Sequence, residues 1–148
     1  MIASIFDVAK FILTRCGSMT TMKLQKLCYY CQAWSLAWDG EPLFSEEFEA
    51  WANGPVCPQL FSQHRGVFVV GPGWTALPEQ NFPFSREQIE TMEAVLRDYG
   101  SKTPHWLSEL THKEAPWREA RAGIPDGMPS TVVIEKDMMQ QYYGGLIE

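Results

Sequence analysis

The stretch from Thr20 to Trp38 constrains the fold more than any other part of this chain. Leu24, Leu27, Cys28, Cys31, Trp34 and Trp38 recur at the spacing of one helical face, and Tyr29, Tyr30, Ala33, Leu36 and Ala37 make the other faces apolar too. Thr20 or Thr21 offers an N-cap, and Asp39-Gly40 supplies the stop. A helix that is hydrophobic nearly all round cannot lie on a surface, so the pattern predicts a central helix with others packed about it.

The flanking segments supply those others. Ser4 can cap a first helix that carries Ile5, Val8, Ala9, Ile12, Leu13 and Cys16 on one stripe, with Gly17 placed to end it. Ser85-Arg86-Glu87-Gln88 is a capping-box pattern, followed by Ile89, Met92, Val95, Leu96 and Tyr99 on one face and a Glu93/Arg97 pair on the other. Thr103-Pro104 starts a short helix with Trp106, Leu107 and Leu110, a further turn is expected around Trp117 to Arg121, and Glu135 to Tyr143 reads as a last helix with Met138, Met139 and Tyr142 inward. Between Pro42 and Trp51 the alternation suits a short strand or arm. Gly54-Pro55 predicts a turn, with Pro55 in the first turn of a short helix through Val56, Leu60 and Phe61. Val67–Val70 and Val132–Ile134 are strand candidates, and the Gly/Pro-rich run from Gly71 to Pro83 predicts irregular surface. The fold class expected is mainly α: a single compact domain over residues 1–148, with about six helices and a small two- or three-stranded β element.

Charge and composition narrow the partners. A formal charge of -6 and no basic run argue against a nucleic-acid backbone. Lys10, Lys23, Lys26 and Asp39 break the apolar stretches before the ~18 residues a membrane helix needs, and Met1-Ile2-Ala3-Ser4 lacks the basic segment of a signal peptide. No membrane contact is expected, and a cytoplasmic location is. Hydrophobic residues at 45% supply enough core that the four cysteines read as reduced, buried thiols rather than a disulfide framework.

Catalytic chemistry finds little to stand on. Cys28 and Cys31 form a C-x-x-C, but Cys57, His64, His105 and His112 are scattered without a second tight pair, so no metal or other cofactor is expected. A Cys57 with His112 pair keeps a Cys/His or metal-dependent hydrolase as the alternative. No nucleophile elbow, P-loop, H-E-x-x-H or G-x-G-x-x-G is present, and Glu49 and Glu114 lack recognisable acid–base partners. Six Trp in so small a chain leave some aromatics over for contacts with another protein.

Three segments, in order, resemble one family. Met19 to Trp34, with Thr20, Lys23, Leu24, Gln25, Lys26, Leu27, Tyr29, Gln32 and Trp34, is similar to the Thr-x-x-Lys-Leu-Gln-Lys-Leu-x-Tyr-x-x-Gln-x-Trp helix of Panacea-domain proteins. Phe48-Glu49-Ala50-Trp51-Ala52-Asn53-Gly54-Pro55-Val56 resembles their Glu-Ala-Trp-x-x-Gly-Pro-Val arm, and Leu110-Thr111-His112-Lys113-Glu114-Ala115-Pro116-Trp117 their Leu-Thr-His-x-Glu-x-Pro-Trp segment. The likeness runs from near Val8 to the last helix and departs at Gly71 to Pro83; no DNA-binding domain is appended, so operator binding is not expected.

The resemblance implies a mostly helical protein without catalytic activity. Such a protein is encoded beside a toxin and neutralises it by direct binding, in SocA-type members as an adaptor that delivers the toxin to a Clp-family protease. A phage-encoded adaptor for a host Clp-type protease without a toxin is a further alternative. Within the motifs, Lys23 and Lys26 are expected on the polar side of the long helix, paired with Glu49 or Glu114. Gln25 and Gln32 would bond loop backbone, Trp51 and Trp117 would anchor the arm and the late loop, Gly54-Pro55 would set the turn, and His112 and Glu114 would hold the loop at Pro116. Lys26, Trp51, His112 and Trp117 are the candidates for partner contact, with specificity in variable surface from Phe68 to Phe84.

Overall fold

The first helix, α1 (Ile5–Cys16), starts at a capping box in which Ser4 accepts from the Phe6 and Asp7 amides while Asp7 takes the Ser4 amide, and it ends at Gly17 with φ 81°. The computed structural model describes residues 2–146. A two-residue strand, β1 (Met19–Thr20), leads into α2 (Thr21–Asp39), capped by the Thr20 hydroxyl on the Lys23 amide and closed by Gly40 in the left-handed conformation. Along α2, residues from Thr21 to Leu36 are buried almost without interruption, which is the central position its composition demands.

The chain continues through β2 (Phe48–Trp51), β3 (Gly54–Val56), α3 (Pro58–His64), β4 (Val69–Val70), α4 (Arg86–Tyr99), α5 (Pro104–Lys113), α6 (Ala115–Ala120), β5 (Val133–Ile134) and α7 (Lys136–Gly144). Helices α1, α4, α5 and α7 pack around α2. The strands form two small antiparallel sheets, β1-β4 and β3-β2-β5. One connected hydrophobic cluster runs through these elements, with Tyr29, Tyr30, Phe44, Phe48 and Tyr143 among its largest members. Among the described residues, no helix is long and apolar enough to cross a membrane.

The fold is mainly α, as expected, with seven helices among the described residues where about six were predicted, because the turn at Trp117 becomes the helix α6, which has Pro116 in its first turn. Other expectations need correction. Pro55 and Val56 belong to the edge strand β3, and the short helix begins three residues later at Pro58. In the ladder the partner of Pro55 is Ala50, whose amide points the other way, to the Val132 carbonyl, so the missing N–H of Pro55 costs β3 no hydrogen bond. The tight turn lies at Ala52-Asn53, and Gly54 follows it with φ 123°. From α7 the fully buried tyrosine is Tyr143, with Tyr142 packed half-buried against the core, and Glu93 reaches Arg15 on α1 instead of Arg97.

Candidate functional site

The hairpin of β2 and β3 is an arm whose backbone acceptors are taken, one after another, by side chains from elsewhere. Arg121 Nη1 donates to the Ala50 carbonyl (2.9 Å), Trp117 Nε1 to Trp51 (2.8 Å), His112 Nε2 to Ala52 (3.0 Å), and Ser108 Oγ to Asn53 (2.6 Å). Lys26 Nζ donates to Pro55 (3.3 Å). A hairpin this short is marginal alone, and each of these bonds adds about 1 kcal/mol net. The spacing of Ser108, His112, Trp117 and Arg121 along α5, α6 and the residue after it lays four donors beside one extended strand and its turn. The His112 and Trp117 rings also pack edge to face at 4.1 Å, and the Arg121 guanidinium lies 5.0 Å from the Trp117 ring.

Lys26 is inside the protein, 1% exposed, with its stem under Gly54. A Cβ at Gly54 would stand 2.5 Å from Lys26 Cε and 3.1 Å from Thr111 Oγ1, so only glycine lets the arm close on α2. The expected pairing with Glu49 or Glu114 does not form. Glu49 accepts from Trp51 Nε1 (2.8 Å), Glu114 accepts from tyrosines, and Lys26 is left with one carbonyl. Without a carboxylate to offset it, burial pushes the Lys26 ammonium down to about 7. Lys23 is half-buried in the first turn of α2, its amide taken by the Thr20 cap.

Glu114 ends α5 and precedes Pro116, which sits buried in the first turn of α6. Its Oε1 accepts from Tyr30 and Tyr143, each at 2.7 Å, and the Tyr29 hydroxyl lies 3.2 Å from that of Tyr143. Each hydroxyl has one proton, so Tyr143 donates to the carboxylate and Tyr29 donates to Tyr143. Burial raises the Glu114 carboxyl above the ordinary range while the two phenols act to lower it. This cluster ties α2, α5 and α7 together. In the sequence Tyr30 counts only as an apolar residue of the long helix and Tyr143 only as the end of the last one.

The two glutamines of α2 replace missing ladder partners. Gln25 accepts from the Cys57 amide (2.9 Å) and donates to its carbonyl (3.2 Å), and Gln32 does the same for Leu43 and Phe44. Gln25 Nε2 also donates to His64 Nε2 (3.0 Å), which leaves the His64 proton on Nδ1; burial lowers the basicity of that ring. Leu24, Leu27 and Tyr29 fill the core beside them. Burial raises the thiols of Cys28, Cys31 and Cys57. Cys57 Sγ donates to Gln59 and His112 holds Ala52, so the sequence pair Cys57 with His112 has separate partners. Among the described residues, no cluster of Cys, His, Asp or Glu is arranged to hold a metal.

Of the residues put forward for partner contact, Lys26 and Trp117 lie in the interior, because their polar atoms meet arm carbonyls on its inner side. Trp51 and His112 keep part of their surface. Trp51 packs at 4.9 Å on Phe61 of α3 and forms one wall of an open apolar groove. Sequence reasoning missed Phe61 and Met22 as groove residues, and it missed Arg121, whose signal was only a charged residue beside a turn. Arg121 is 3% exposed; its Nη2 holds the Pro125 and Met128 carbonyls, and its Nε is the buried side-chain polar atom without a partner among the described residues.

A family model described as "Antitoxin SocA-like, Panacea domain" matches residues 24–118, more than half of the chain, from α2 into α6. No curated protein and no solved structure matches. The matched span contains Lys26, the arm, His112, Glu114 and Trp117; Arg121 and Tyr143 fall outside it.

Proposed function

The chain belongs to the antitoxin SocA-like, Panacea domain family, and from that membership we propose that it is an antitoxin that neutralises a protein toxin encoded by a neighbouring gene, by binding it directly in the cytoplasm. The observation that carries the reading, beyond the family, is the rigid presentation of the arm. The buried side chains of Lys26, Trp117 and Arg121 hold three of its carbonyls, while Trp51 and His112 keep an outward side. Preorganisation of this kind lowers the ordering cost of association. Trp51 is the residue type that most often anchors protein interfaces. The family suggests a role without catalysis, and the separate partners of Cys57 and His112 agree with it.

The test is co-expression with the protein of the adjacent gene, scoring growth and co-purification in one host. A neighbour that is toxic alone and harmless as a stable complex supports the reading, and a harmless or unbound neighbour overturns it. Repeating the growth assay in a host without its Clp-family protease separates the two modes: rescue that persists means blocking, and rescue that disappears means delivery to degradation.

A further inference from the structure

Two depressions lie on either side of the bond between Trp51 and Glu49. One is the apolar groove, about 460 Å3, walled by Met22, Trp51, Val56 and Phe61 and by the loop residues Pro129–Thr131. The other is a polar cleft of about 390 Å3 in which Glu46, Glu47 and Glu49 converge with Gln59. Helix α3 contributes to both, Pro58 and Gln59 to the cleft and Phe61 to the groove. Trp51 Nε1 donates to Glu49 Oε1 at 2.8 Å, so the ring forms a fixed ridge between them. Of the three carboxylates in the cleft, Glu47 pairs with Lys136 at 3.5 Å, Glu46 accepts from the Ile5 amide at 3.2 Å and Glu49 from Trp51, and among the described residues no Lys or Arg lines either depression.

We infer that groove and cleft together receive one segment of the toxin, in which an apolar side chain sits within about a helical turn of a Lys or Arg. The inference rests on the antitoxin reading and adds the chemistry of the partner segment. The apolar side chain seats in the groove against the packed pair of Trp51 and Phe61, where removal of apolar surface from water favours association. The cation settles on the residual negative charge of the cleft, which steers encounter and rejects acidic surfaces. A second copy of this chain is a poor occupant, since each carries a formal charge of -6.

Asn53 lines the groove, is exposed, and sits at the arm turn, so its side chain can change charge without entering the core. The full chain is titrated by calorimetry with the purified neighbouring-gene protein at two salt concentrations. Asn53→Lys is expected to weaken binding about tenfold, Asn53→Asp to hold or tighten it, and Phe61→Ala to weaken it more than tenfold, with unchanged melting of the Asn53 variants. Opposite responses to the two Asn53 charges separate recognition from a structural effect. Wild-type affinity in all three variants overturns this inference and leaves the antitoxin reading standing; no binding by the unaltered chain overturns both. A dimer of the chain in light scattering that Asn53→Lys dissociates also overturns it, by giving the groove to a second copy.

Discussion

The arm at residues 48–57 is a short two-stranded hairpin and the loop at residues 71–84 is irregular, and the two are fastened in opposite ways. Around the arm, Lys26, Trp117 and Arg121 are buried, and they hold three of its carbonyls from α2, α6 and the residue after it. The loop has no helix or strand. It is held by the Lys10 ammonium on the Pro78 and Glu79 carbonyls at the surface, by a few local turns, and by half-buried Trp74, Leu77 and Phe84. Beyond the strand pairing that only the arm has, the two differ in where their carbonyls find donors, in the interior for the arm and at the surface for the loop, and stability against local opening is expected to follow that difference.

The largest expected break in that contrast is Gly54→Ala. A φ of 123° and a Cβ 2.5 Å from Lys26 Cε should cost about 3 kcal/mol, read as a lower urea midpoint. Adding Lys26→Ala should recover part of that loss by removing the clash but none of the backbone strain.

A second test uses pH. Lys26 is neutral in the folded chain above about 7 but stays protonated to 10.5 when unfolded. The unfolded state therefore binds more protons, and stability should rise by about 2 kcal/mol between pH 7 and about 8.5. At higher pH the thiols of Cys28, Cys31 and Cys57 and the phenols of Tyr29, Tyr30 and Tyr143, all raised by burial, keep protons that the unfolded chain gives up, and stability should turn down. Lys26→Met should lose the rise and keep the fall in urea melts across this range.

The smallest effect belongs to the loop. Lys10→Ala should cost less than about 1 kcal/mol while speeding amide exchange in residues 71–84 and leaving the arm unchanged.

Helix content was legible because its signals are local. Ser4, Thr20, Ser85 and Thr103 cap the helices they precede, and the all-round apolar character of α2 placed it at the centre. What was not legible depends on partners distant in sequence. Gly54-Pro55 fits a helix start as well as a strand, and only pairing with Ala50 and closure over Lys26 decides between them. Lys26 reads as a polar-face residue by periodicity, since no one-dimensional pattern records that a carbonyl waits 29 positions away. The same holds for Glu114, whose partners Tyr30 and Tyr143 lie 84 and 29 residues off. For the site, sequence named motif residues together but could not tell inner wall from outer surface.

The bonds to Ala50, Trp51, Ala52 and Asn53 all end on main-chain oxygens. Every amino acid carries that atom, so the identities of the turn residues are largely uncoupled from the fastening of the turn. A library randomised at Ala52 and Asn53 should therefore yield mostly folded proteins that differ in what they bind, and retargeting this chain to another protein becomes a problem of surface chemistry alone.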